Sequence, residues 1–286
     1  MAALARADLE RLLHARKLAG TLALPGDTAP ARDDRRVAPT GMASIDRRLG
    51  GGWARGHVSE IIGAPSTGAT RIAWTSLAAA TRRGELAALI DPLDMFDPES
   101  AATVGFVWSS LLWVRGAGAP SLDAPQRPPG PRAEPRHRRG VPRSEAAGAW
   151  RPAIDRAIKA LALVLQAEGF GLVVLDLVGI PPAAVKQLPF TTWRRVQRLV
   201  EGRETACVIL HGEAIGRSAG GVTLALNSRP RGRVRWAGQS ARGRRLAEIA
   251  TSARVVRAQG PQETLESFEW SAVEPCLPVS STIGWA

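Results

Sequence analysis

The eight residues from Gly63 to Thr70, Gly-Ala-Pro-Ser-Thr-Gly-Ala-Thr, constrain this chain more than any other stretch. They follow the apolar run His57-Val-Ser-Glu-Ile-Ile62 and precede Arg71-Ile-Ala-Trp-Thr-Ser-Leu-Ala-Ala-Ala80. The local order is therefore strand, glycine-rich loop, helix, which is the setting of the phosphate-binding P-loop, G-x-x-x-x-G-K-[ST]. Every position of that pattern is compatible except the lysine, where Ala69 stands. In a working loop the backbone N–H groups and the helix N-terminus cradle the phosphates, and the lysine ammonium neutralises the β/γ oxygens. Ala69 carries no charge, whereas Thr70 still offers a hydroxyl to Mg²⁺. Gly63, Pro65, Ser66, Gly68, Ala69 and Thr70 thus read either as a degenerate nucleotide site or as a glycine-rich turn with no ligand at all.

The flank separates these readings. Thr40-Gly-Met-Ala-Ser-Ile-Asp-Arg-Arg-Leu-Gly-Gly-Gly-Trp-Ala-Arg-Gly-His-Val-Ser-Glu-Ile-Ile-Gly63 resembles the segment that leads into the P-loop of RecA-family recombinases. Thr40, Gly41, Asp46, Leu49, Gly50, Gly51, Gly56, Glu60 and Gly63 fill that family's fixed positions. Within the superfamily, the missing lysine together with Leu112-Trp-Val-Arg115 is most similar to the ImuA proteins of bacterial translesion synthesis. The resemblance implies a RecA-like α/β fold: a mostly parallel twisted sheet flanked by helices, with an N-terminal helical arm.

Two further positions bear on chemistry. Asp91-Pro-Leu-Asp-Met-Phe-Asp-Pro98 resembles the family's D-x-E-x-x-x-D-P, but the glutamate that activates water is replaced by Leu93, which accepts no proton. Asp94, one residue along, takes that role only if the backbone slips. Gly169-Phe-Gly-Leu-Val-Val-Leu-Asp176 is a strand ending in an acid; in active relatives that aspartate holds Mg²⁺ through water, and otherwise Asp176 anchors the loop at the strand end. With Ala69 and Leu93 in place the chain is expected not to be an enzyme, and ATP and Mg²⁺ binding is expected to be weak or absent. The end of Thr205-Ala-Cys-Val-Ile-Leu-His211, where the family carries a nucleotide sensor, reads His211-Gly212; a strand-end hydrogen bond is the expected role of this histidine.

The formal charge of +12 in 286 residues points to an anionic partner, either nucleic acid or an acidic protein surface. Position matters more than number. Residues 188 to 201 read as a basic helix carrying Arg194, Arg195 and Arg198 beside Trp193. From Arg217 to Arg245 the arginines at Arg229, Arg231, Arg233, Arg235, Arg242, Arg244 and Arg245 occur with no Asp or Glu among them. This second stretch falls where the family places a DNA-binding loop, so it reads as a contact for single-stranded DNA or an acidic partner, or as an exposed basic ribbon. From residue 258 onward the chain has no Arg or Lys and carries Glu263, Glu266, Glu269 and Glu274. Residues 264 to 270 alternate like an edge strand.

Residues 1–39 are expected to hold an amphipathic helix (Leu4 to Lys17) and a Pro/Gly linker, 40–257 the RecA-like core, and 258–286 an acidic C-terminal segment. Gly116 to Ala149 has seven prolines and six arginines and is expected to be a disordered insertion. No apolar run is long enough to span a bilayer and Cys207 sits in an apolar strand, so a cytoplasmic location is expected. No metal-ligand spacing occurs. The resemblance implies a regulator or scaffold in SOS-induced translesion synthesis and mutagenesis, with RecA, ImuB and an error-prone polymerase as partners; a RecA-like shape without the ATP switch adds antagonism of RecA filaments as an expected mode of action. A weak DNA-dependent ATPase, with Arg71 or a partner's cation replacing the lysine, and a cell-division inhibitor are the alternatives.

Overall fold

Continuous apolar runs such as Leu86-Ala-Ala-Leu-Ile and Leu172-Val-Val-Leu175 suit strands covered on both faces, as in a parallel sheet. The computed structural model, which describes residues 36–119, 148–215, 221–226, 234–237, 245–257 and 268–271, places them at the centre of one. A short antiparallel pair, β1 (Val37–Ala38) with β2 (Trp53–Ala54), comes first, with α1 (Ala43–Leu49) between its strands. The main sheet contains β3 (Val58–Ile62), β4 (Leu86–Asp91), β5 (Leu111–Arg115), β6 (Phe170–Asp176), β7 (Ala206–His211) and β8 (Thr223–Leu226), all parallel. It continues antiparallel through β10 (Arg245–Arg257) and β11 (Phe268–Ser271), and β9 (Val234–Ala237) pairs with the first part of β10. The order across the sheet is β11-β10-β8-β3-β7-β6-β4-β5.

Helices cover both faces. On one, α2 (Ala69–Arg82) buries Ile72 and Leu77 in an apolar cluster with Ile61, Leu89, Leu172 and Leu224. On the other, α4 (Arg151–Ala167) and α6 (Phe190–Val200) bury Ile154, Leu161, Leu165, Val196 and Val200 against Val173, Leu175 and Ile209. The spacing Ile154, Ala157, Leu161, Val164, Leu165 gives α4 its single apolar stripe. Each such fully buried Leu or Ile contributes about 1.5–3 kcal/mol. Two short helices are also described, α3 (Pro98–Ala102) and α5 (Pro182–Lys186).

The fixed residues of the Thr40–Gly63 segment have structural roles. The Thr40 N–H donates to Asp46 Oδ1 at 2.7 Å, which ties the start of α1 to its middle. Gly50, at φ +70°, ends the helix in the left-handed region that glycine tolerates. The backbone of Gly52 lies directly on the Ala38 carbonyl, leaving no room for a Cβ. Trp53 is fully buried and donates its indole N–H to Ser76 Oγ at 3.0 Å, which clamps the antiparallel pair to α2.

The fold is the expected mostly parallel sheet flanked by helices. The N-terminal arm and residues 120–147 of the basic insertion lie outside the described residues. The edge strand expected over 264 to 270 is described as β11, Phe268–Ser271. β3 is followed by β4 three places away on one side, whereas its neighbour β7 is followed by β8 on the other side of β3, so the chain leaves these two adjacent strands in opposite directions across the sheet. A crevice at the carboxyl ends of the strands forms at such a switch point.

Candidate nucleotide site

β3 delivers Gly63 to that crevice, and its N–H donates to the His211 carbonyl of β7 at 3.0 Å. The chain then turns back on itself. The N–H and hydroxyl of Thr67 both donate to the Ala64 carbonyl, at 3.2 and 2.7 Å. Ser66 (φ +68°) and Gly68 (φ +92°) take left-handed backbone, and Gly68 caps α2 without any side-chain hydrogen bond. Pro65 and Ser66 are exposed and Thr70 is half-buried. Ala69 is 5% exposed and belongs to the apolar cluster; a Cβ on Gly63 would be 3.3 Å from Ala69 Cβ and 3.4 Å from Leu226 Cβ. The loop has the contour of a phosphate cradle, and where the charge belongs it has a methyl group packed on its own sheet.

The glutamate position fares similarly. Leu93 is 8% exposed and clusters with Leu177 and Ile180, and a Cβ on Gly179 would stand 3.0 Å from its Cδ1. Asp94, one residue along, is engaged in an ion pair. Arg115 forks both Asp94 oxygens at 2.8 Å, and that hydrogen-bonded guanidinium holds the carboxyl below the usual aspartate range. Asp91, 2% exposed, accepts from the N–H groups of Met95 and Phe96 at 3.0 and 2.8 Å and from Trp113 Nε1 at 3.3 Å. Asp97 caps α3 by accepting from the N–H groups of Glu99 and Ser100. These two acids hold backbone in place.

Asp176 ends β6, where the register sets it beside Asp91 of β4. Loss of hydration pushes its carboxyl up to about 7, the nearby Asp91 adds to the rise, and the hydrogen bond from the Val178 N–H (2.8 Å) opposes it. Of the two roles expected for Asp176, the structure shows the anchor of the strand-end turn, through the Val178 N–H. Among the described residues no group of three or more His, Cys, Asp or Glu could hold a metal ion. His211, 3% exposed, places Nδ1 2.9 Å from the Glu213 carbonyl and 3.2 Å from the Glu213 N–H, and burial lowers its pKa. Glu213 is itself paired with Lys186 at 2.6 Å. The histidine thus has the expected strand-end hydrogen bond.

Of the arginines singled out by position, Arg194, Arg195 and Arg198 are exposed on α6, while Val196 and Val200 hold that helix to the sheet. Arg229, Arg231, Arg233, Arg242 and Arg244 lie outside the described residues. Arg235 is on β9, in register with Glu248 of β10, and Arg245 pairs with Ala237. Arg235 and Arg245 thus lie on paired strands, and residues 212–222 join β7 to β8.

Two features carry no motif. Arg55 donates to the carbonyls of Val37, Gly171 and Glu204 and to Glu85 Oε1, bracing the amino ends of the strands. An open groove of about 920 Å³, lined there by Arg55, Glu85, Glu168 and Arg203, is at the end of the sheet opposite the phosphate loop. The other is the indole of Trp270 against Gly68, for which the alternation of residues 264 to 270 was the available sequence signal.

Residues 19–119 match the RecA N-terminal domain family. The chain is 43% identical over 94 residues to Protein RecA of Acidothermus cellulolyticus, covering 32% of this chain and 27% of that one. It is 39% identical over 116 residues to Protein RecA of Kineococcus radiotolerans (38% and 33%) and 46% identical over 77 residues to that of an Arthrobacter species (27% and 22%). The matches thus span between about a fifth and a third of the length of these relatives. The loop, its flanking segment and the sheet around them have a RecA-like α/β fold, and the family match in sequence covers residues 19–119.

Proposed function

We propose that this chain is a RecA-shaped regulator or scaffold without nucleotide chemistry, acting in SOS-induced translesion DNA synthesis and mutagenesis as its similarity to ImuA implies. The observation that carries the reading is the paired burial of Ala69 and Leu93 in apolar clusters. A cation at the first position and a base at the second are separate requirements of phosphoryl transfer. A neighbour repairs one such loss more readily than two. Arg71, the nearest arginine in the chain, directs its guanidinium to Thr103 Oγ1 at 3.3 Å. A subunit with RecA-like contours and no ATP switch offers RecA a compatible face without propagating a nucleotide-gated filament, and so favours filament disassembly. ImuB and an error-prone polymerase are the further partners, and the exposed arginines of α6 are offered to single-stranded DNA or an acidic protein surface.

The test measures RecA-driven strand exchange and filament length with substoichiometric amounts of the chain, alongside a pull-down. Shortened filaments and a RecA complex are expected; unchanged exchange with no complex removes the reading. A second reading, a weak DNA-dependent ATPase, is favoured by Thr70 and Asp176, which keep a hydroxyl and a carboxyl at the crevice. Turnover stimulated by single-stranded DNA and abolished by Thr70→Ala or Asp176→Asn establishes it in place of the first.

A further inference from the structure

Trp270 is far from the phosphate loop in sequence and lies on the antiparallel strand β11, yet its ring ends at the loop. A Cβ added to Gly68 would stand 2.6 Å from Trp270 Cη2 and 2.7 Å from Cζ2. The indole is 2% exposed and shares the apolar cluster with Ala69, Leu226 and Ala253. Its Nε1–H is buried with no acceptor among the described residues, so apolar packing rather than hydrogen bonding seats the ring. Phe268, two residues earlier on the same face of β11, lies under the Arg48 guanidinium of α1 at 5.4 Å. The strand thus grips α1 with one ring and the loop with the other.

We propose that Trp270 is an intramolecular cap which holds the phosphate loop in its closed turn without nucleotide. This rests on the reading that the loop has lost its nucleotide chemistry, and it says what keeps the loop ordered instead. A glycine-rich loop gains its order from phosphate contacts when a ligand is bound. Here a large, rigid, almost fully buried aromatic surface supplies the constraint from inside the chain. Gly68 is required twice over, by its left-handed backbone and by the ring lying where a side chain would begin. Docking of β11 and closure of the loop are then one event, and detaching the strand releases both.

Trp270→Phe tests this, because phenylalanine keeps an apolar anchor on β11 and removes the two ring atoms that touch Gly68. Hydrogen exchange of the amides of residues 64–70 should accelerate by about tenfold or more, while peptides from β6 and β7 keep their wild-type rates. Unchanged exchange at 64–70 overturns the proposal. Should Trp270→Phe loosen the whole sheet, a denaturation cycle with Gly68→Ala decides. If the indole occupies the site, Gly68→Ala is more disruptive in the wild type than in the Trp270→Phe background; equal disruption in both overturns the cap. Neither readout involves ATP, so turnover by the wild-type chain would remove the proposed function and leave the cap to be judged on its own.

Discussion

The segment before the phosphate loop and the crevice around it have fared differently. Between Thr40 and Gly63 the RecA-like residues do mechanical work: Asp46 holds the Thr40 N–H, Gly52 accommodates the Ala38 carbonyl, and Gly50 closes α1. In the crevice, Asp91 and Asp97 also remain, and both bind backbone N–H groups. The positions that differ are those whose work is chemical, Ala69 and Leu93, and each is now part of an apolar cluster. A residue that supports a turn is needed whether or not ATP is cleaved, whereas a cation or a base placed in either apolar cluster would carry a desolvation cost.

The contrast can be broken most decisively at Leu93. Leu93→Glu places a carboxylate among Leu177 and Ile180 and should cost about 3 kcal/mol or more in urea denaturation without producing ATP hydrolysis. A stable, ATP-cleaving variant would show that the crevice had kept its chemistry in reserve. Asp91→Ala comes next, since it strands the Met95 and Phe96 N–H groups and Trp113 Nε1. A loss of about 2–3 kcal/mol is expected from the same measurement.

Asp176 gives a smaller effect that depends on pH. Burial raises its folded pKa to about 7, well above the ordinary aspartate value of 3.8, so between these values the folded chain holds a proton that the unfolded chain releases. This group's contribution to stability therefore falls as pH rises from about 4 to about 7. Asp176→Asn should flatten the fall, which melting temperatures across that window would detect; an identical slope in both proteins would show that the aspartate is ordinarily ionised. The smallest change is expected for Asp94→Ala, because its pair with Arg115 is at the surface and such pairs contribute little. Its melting temperature should remain close to that of the wild type.

Much of this was legible from residue order. The apolar runs at 86–91, 170–176 and 206–211 specified parallel strands, the stripe from Ile154 to Leu165 specified a helix, and Gly63 to Thr70 specified the turn between β3 and α2. The two replacements in the crevice were equally visible, because a motif fixes which residue type belongs at which place. Other features were not. Asp94 adjoins Leu93 in sequence, and only the structure shows that Arg115, at the end of β5, forks both of its oxygens. The arginines between 217 and 245 read in sequence as one basic stretch, and only the structure shows that Arg235 and Arg245 belong to the paired strands β9 and β10.

Patterning along the chain was enough to specify the sheet, the helices that cover it and the loss of charge at Ala69, since hydrophobic period and motif spacing are local properties. Which side chain meets the phosphate loop was fixed by folding alone. Trp270 reaches Gly68 because β11 pairs with β10, β10 with β8 and β8 with β3, and no local rule links residues some 200 positions apart.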